Sequence, residues 1–216
     1  MAGYMLYSLD NDAFQKFCTA PSEKQLLKLA QETSVSLDDF DDSEGEVLGS
    51  WPVQPEELVP ILRTRITQAD WFAGFSDYEK SQFDMILRGF FCDDDNELNF
   101  RCESDGIYWD VVDLIRNHHQ VPANTVNEKI ISQFGTKPLH ATLETGKTPG
   151  FDTWAPYFSM HLPEDVIQLR EEVLAAEAAV RNSGDDNACQ EYDDELLPTL
   201  DTVINDQRLL FIVLDT

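Results

Sequence analysis

The sequence predicts an α/β (α+β) fold, one domain over residues 1–216 with a small central sheet that includes both terminal strands and about six flanking helices. Three observations carry this. The chain has 216 residues, which suits one domain. Residues 209–215, "LLFIVLD", form a continuous apolar run, as a strand buried on both faces does. Between that run and the opening "YMLYSLD", apolar residues recur mostly at helical spacing.

The elements follow in order. Residues 4–10 read as a short strand in the same sheet as the closing one. Ser22 and Gln25 have capping-box spacing ahead of Leu26, Leu27, Leu29 and Ala30. Pro55 and Pro60 bracket "PEELVP", which predicts a turn and then a helix over residues 60–68. Ser76 and Glu79 repeat the capping box before Phe83, Ile86, Leu87 and Phe90. Ile107, Val111, Leu114, Ile115 and His118 share one helical face. Residues 124–153, with three glycines and two prolines, read as an irregular crossing that contains a strand near 129–133. A strand over 157–162 leads into Pro163, which opens a helix with the stripe Val166, Leu169, Val173, Ala176 and Val180. A last helix covers 193–205, with Pro198 as a kink or a restart. Acidic loops are expected near 36–50, 93–105 and 182–195.

Composition narrows the function. The chain carries 41 acidic against 15 basic side chains, a net charge of −26, together with 13 Phe, 6 Tyr and 4 Trp. That many aromatics argues for a folded core. The charge excludes ordinary nucleic-acid binding and disfavours anionic membranes, because both surfaces would repel it. Basic proteins would be steered in; the alternative reading of the charge is solubility or life in high salt. No apolar run approaches the roughly 18 residues of a membrane span. The N-terminus lacks the basic region of a signal peptide, so a cytoplasmic protein with reduced Cys18, Cys92, Cys102 and Cys189 is expected.

Specific chemistries find little support. "GKT" at 146–148 lacks the preceding P-loop glycine, since Ala141 stands there, and Pro149 and Gly150 break the helix it needs. His118 and His119 are adjacent rather than three or four apart, and Cys92 and Cys102 are too far apart for a zinc knuckle. "DDDNELNFRCES" lacks the glycine and final glutamate of an EF-hand. No nucleophile motif is present, so no catalytic residue, cofactor or metal is assigned.

Two features point instead to a partner. "SLDDFDDSEGE" places six carboxylates, Asp38, Asp39, Asp41, Asp42, Glu44 and Glu46, in eleven residues. Trp71, Tyr108 and Trp109 lie in aromatic stretches beside acids and suit the role of anchors.

"FGTKPLH", "YFSMHLPEDVIQLREEV" and "RLLFIVLD" occur in an order that resembles the C-terminal half of the bacterial YfbM-like family. Gly135, Pro138, Leu139, Pro163, Glu164, Asp165, Val166 and Leu209 through Val213 carry the likeness. The resemblance implies an α/β fold and a bacterial intracellular protein; it brings no activity and no functional residue. The expected function is a non-enzymatic acidic inhibitor that engages a basic protein: a toxin, a nuclease or a nucleic-acid-binding protein. It would act as an immunity protein or as a DNA mimic. The alternative is an enzyme or small-molecule-binding domain, marked by a deep pocket with converging polar groups.

Overall fold

The computed structural model describes residues 3–39, 51–68, 71–120 and 158–215. Among these, β1 (Gly3–Leu9), β2 (Arg101–Tyr108), β3 (Phe158–His161) and β4 (Leu209–Asp215) form one antiparallel sheet in the order β2-β1-β4-β3. Both terminal strands lie in this sheet, as expected, and the structure makes them its two central neighbours. One helical layer holds α1 (Asn11–Thr19), α2 (Glu23–Asp39), α3 (Pro55–Ile66) and α4 (Asp77–Phe91). The other holds α5 (Trp109–His118), α6 (Pro163–Ala175), α7 (Glu177–Arg181), α8 (Asp186–Glu191), a π-helical turn (Tyr192–Leu196) and α9 (Leu197–Asn205).

Strand alternation builds both layers. On β1 and β4, Met5, Tyr7, Leu9, Leu209, Phe211 and Val213 face α1–α4, while Tyr4, Leu6, Leu210 and Ile212 face α5–α9. Both faces of β4 are therefore apolar, which is why its sequence is an unbroken hydrophobic run. The first layer is aromatic: Phe17 stacks on Phe90 at 5.1 Å between centroids, and Phe91 meets Phe14 at 5.9 Å and Phe211 at 5.8 Å. The second is chiefly aliphatic, with Val111, Ile115, Val166, Leu169, Val173, Leu200 and Val203 buried.

Local signals hold where they are strong. Ser22 Oγ accepts from the Gln25 amide at 3.1 Å, and Gln25 Oε1 accepts from the Ser22 amide at 2.9 Å. Ser76 and Glu79 make the same reciprocal pair. All five residues of the Pro163 stripe are buried, although the helix breaks after Ala175.

Several expectations are corrected. α3 is one helix from Pro55, with Pro60 inside it. Pro60 stands in the second turn and forfeits one backbone bond. Burial of Leu58, Leu62 and Ile66 along one face offsets that loss. Ile107 is not on α5 but on β2, opposite Tyr4. β2 was hidden because "RCESDGIY" has no apolar alternation. The acidic loops are shorter than expected: α2 runs to Asp39, β2 starts at Arg101, and residues 186–195 are helical. The crossing at 124–153, its strand, the "GKT" turn, Gly135, Pro138 and Leu139 lie outside the described residues.

Candidate functional site

The expected anchors do not form one cluster. Trp71 is 2% exposed and packs edge-on against Phe17 at 6.0 Å and against Phe14 at 6.5 Å. It belongs to the aromatic core and offers no surface to a partner, so its assignment as an anchor is withdrawn. Tyr108 ends β2 and Trp109 opens α5, a helix of the layer opposite Trp71's. Asp38 and Asp39 lie in the last turn of α2. Asp41, Asp42, Glu44 and Glu46 lie outside the described residues.

A different acidic surface is built from the C-terminal helices. Residues 163–206 carry thirteen carboxylates and two arginines, a net charge of −11 over 44 residues. The opposite layer, counted over residues 10–39, 51–68 and 71–99, carries fifteen carboxylates and seven basic side chains, a net of −8 over 77 residues. The acidity is therefore denser on the helices that follow β3.

Both arginines of that face are turned inward on it. Arg181 holds Asp193 in a bidentate pair, with both contacts at 2.6 Å, and reaches Glu177 at 3.4 Å. This pairing lowers the Asp193 carboxyl below its usual range and raises the guanidinium. Arg170 pairs with Asp201 and ties α6 to α9. Glu164, Glu171, Asp186 and Asp194 are exposed around these pairs.

The π-helical turn fixes how the face is presented. Ala188, Tyr192, Leu196 and Leu200 are all buried at strict four-residue spacing. An α-helix of 3.6 residues per turn would rotate that series off the core by about 40° at each step. The wider π turn takes up the drift. The Tyr192 hydroxyl donates to the Val173 carbonyl at 3.1 Å and pins the turn to α6. Asp193 and Asp194 are thereby left on the outside. At the start of α6, Asp165 accepts from the Leu162 amide at 3.3 Å; burial raises its carboxyl despite that bond. In sequence, this face is legible only as charge density, without a motif.

Other chemistry is sparse among the described residues. No group of three or more His, Cys, Asp or Glu is assembled as metal ligands. His118 and His119 have ring centroids 4.8 Å apart, and His119 Nε2 contacts the Glu172 carbonyl at 2.8 Å. All four cysteines are free thiols. A groove of about 360 Å³ runs along α3, lined by Pro60, Ile61, Thr64, Arg65 and Gln68. Its one charged group, Arg65, donates to the Ala73 carbonyl at 2.6 Å and lies 4.1 Å from the centroid of the Phe75 ring. No helix among the described residues is long and apolar enough to cross a membrane.

No family model matches the chain, and no curated protein or solved structure is significantly similar to it.

Proposed function

We infer that the protein is a non-enzymatic acidic binder that engages a basic protein, as a toxin-immunity protein or a DNA mimic does, in the cytoplasm of a bacterium. One observation carries the reading: thirteen carboxylates and two arginines on the ordered helices between residues 163 and 206, with both arginines paired within that face. Fixed helices hold those carboxylates in place, so a partner would not have to order them on binding. Such a face attracts a basic protein over distances set by ionic strength.

The test uses immobilised protein to capture basic bacterial proteins at low and high salt, followed by kinetics on the species captured. The association rate should fall steeply as salt rises. Replacing Glu171, Asp186 and Asp194 with Gln, Asn and Asn should slow association by about tenfold while changing dissociation little. These side chains are exposed, so the fold should survive the change. An association rate flat with salt, or unaffected by the triple variant, would remove the proposed role of this face.

A further inference from the structure

The surroundings of Arg181 are built to hold a guanidinium group. Asp193 accepts from Nη1 and Nη2 of Arg181 at 2.6 Å each, a two-pronged geometry that a planar guanidinium fits and an ammonium does not. Glu177 accepts from Nη2 at 3.4 Å. The guanidinium carbon lies 5.5 Å from the centroid of the Tyr192 ring, within the range of a cation–π contact. Two carboxylates and one aromatic ring, drawn from α7 and the π turn, therefore converge on a single cation.

The frame of this site does not depend on Arg181. Tyr192 is fully buried, and its hydroxyl is tied to the Val173 carbonyl of α6. The π turn that carries Tyr192 inward leaves Asp193 outside. The occupant, by contrast, is exchangeable. The side chains of Arg181, Glu177 and Asp193 are 39%, 51% and 46% exposed, and ion pairs this open contribute little to stability. Another guanidinium can make the same bonds to Asp193. Arg181 then still has Glu177 one helical turn away, at the favoured i, i+4 spacing. The swap is close to neutral in itself, so any further contact that the newcomer brings with it is net gain.

We propose that Asp193, Glu177 and Tyr192 form a guanidinium-binding site, closed by Arg181 in the free protein and taken by an arginine of the basic partner on binding. This rests on the acidic-binder reading and narrows it: the partner is recognised through arginine, and lysine of equal charge does not replace it. Charge complementarity favours the exchange, because the helices of residues 163–206 carry thirteen carboxylates against two arginines. The remaining carboxylates are there to meet the partner's other basic groups.

Two probes test this on the full chain. The first is ethylguanidinium, with ethylammonium at the same ionic strength as its control. Arg181→Ala should bind ethylguanidinium saturably in the millimolar range and ethylammonium not at all. Adding Asp193→Asn to that variant should abolish the binding. The second is a pair of peptides of equal length, oligoarginine and oligolysine, titrated against the protein at low salt. The wild-type chain should bind the arginine peptide at least about fivefold more tightly. Arg181→Ala should widen that ratio, and Asp193→Asn, which keeps Arg181, should narrow it. Thermal melts should stay close to wild type, because the side chains changed are exposed. Arg181→Ala that fails to bind ethylguanidinium, or an arginine preference indifferent to Asp193→Asn, overturns the proposal. Equal, salt-sensitive binding of both peptides overturns it too, yet leaves the acidic binder standing. Binding of neither peptide removes both.

Discussion

Arg208 carries a charge into the interior, with a side chain only 5% exposed. Its Nε donates to Ser8 Oγ at 2.6 Å, and its Nη2 donates to the carbonyls of Ser8 and Asn99. Ser8 Oγ passes its own hydrogen to Glu103, whose carboxylate lies 4.0 Å from the guanidinium. Burial holds the Arg208 guanidinium below its usual value. Arg208→Met should destabilise by about 3–5 kcal/mol, because it strands Glu103 and two carbonyls. Glu103→Gln combined with Arg208→Met should cost less than the sum of the single changes by about 1 kcal/mol or more. Denaturant titrations of the three variants measure this; strict additivity would mean the groups are not coupled. The cysteines give a second test. Burial pushes the Cys92 thiol up to about 11, whereas Cys102 is exposed. Alkylation at mildly basic pH should modify Cys102 first, and the Cys92 rate should keep rising as pH approaches that value. Peptide mapping over time separates the two, and equal rates would contradict the burial of Cys92.

The end of α9 is an element whose geometry disagrees with its residue. Gln207 has φ 54°, the Arg208 amide bonds the Val203 carbonyl at 3.0 Å, and the Gln207 amide bonds that of Ile204 at 3.2 Å. These are the two bonds of a Schellman motif, whose left-handed position favours glycine. Gln207→Gly should therefore stabilise the protein by about 0.5–1 kcal/mol despite the looser unfolded chain. That would raise Tm by a few degrees. A fall in Tm would show that the Gln207 side chain, which donates to the Ile204 carbonyl at 2.7 Å, matters more than the backbone strain.

At the scale of the molecule, self-repulsion and ion pairing respond oppositely to acid. Asp93 is held below the usual carboxylate range by its hydrogen bond from Lys28, Glu97 by Ser22 and Lys24, and Asp193 by Arg181. A carboxylate lowered on folding stabilises fully above its unfolded pKa and loses that contribution as pH falls through the folded value. Asp165 is raised by burial and works the other way, opposing the fold while it is ionised. Protonation also relieves the repulsion of a −26 chain. Stability should therefore rise as pH falls from about 7 toward about 5, then drop below about 4 as the paired carboxylates are neutralised. Melts across pH at constant salt measure it, and stability still rising at the acid end would mean the pairs contribute nothing.

The sequence by itself determined what local chemistry encodes. The two capping boxes are visible because Ser22–Gln25 and Ser76–Glu79 bond within one turn. The Pro163 stripe and the double-sided burial of β4 are visible because side-chain direction follows backbone period. Tertiary structure decided what depends on distant neighbours. Trp71 is buried because Phe14 and Phe17 close over it, and Pro60 stays inside α3 because the aromatic layer needs Leu58, Leu62 and Ile66 on one face. β2 exists because β1 supplies its hydrogen bonds, without any alternation of its own. The acidic face was legible as charge but not as a surface. Only the packing of α6 through α9 on one side of the sheet, with the π turn holding Tyr192 inward, gathers carboxylates scattered over 44 residues on that side.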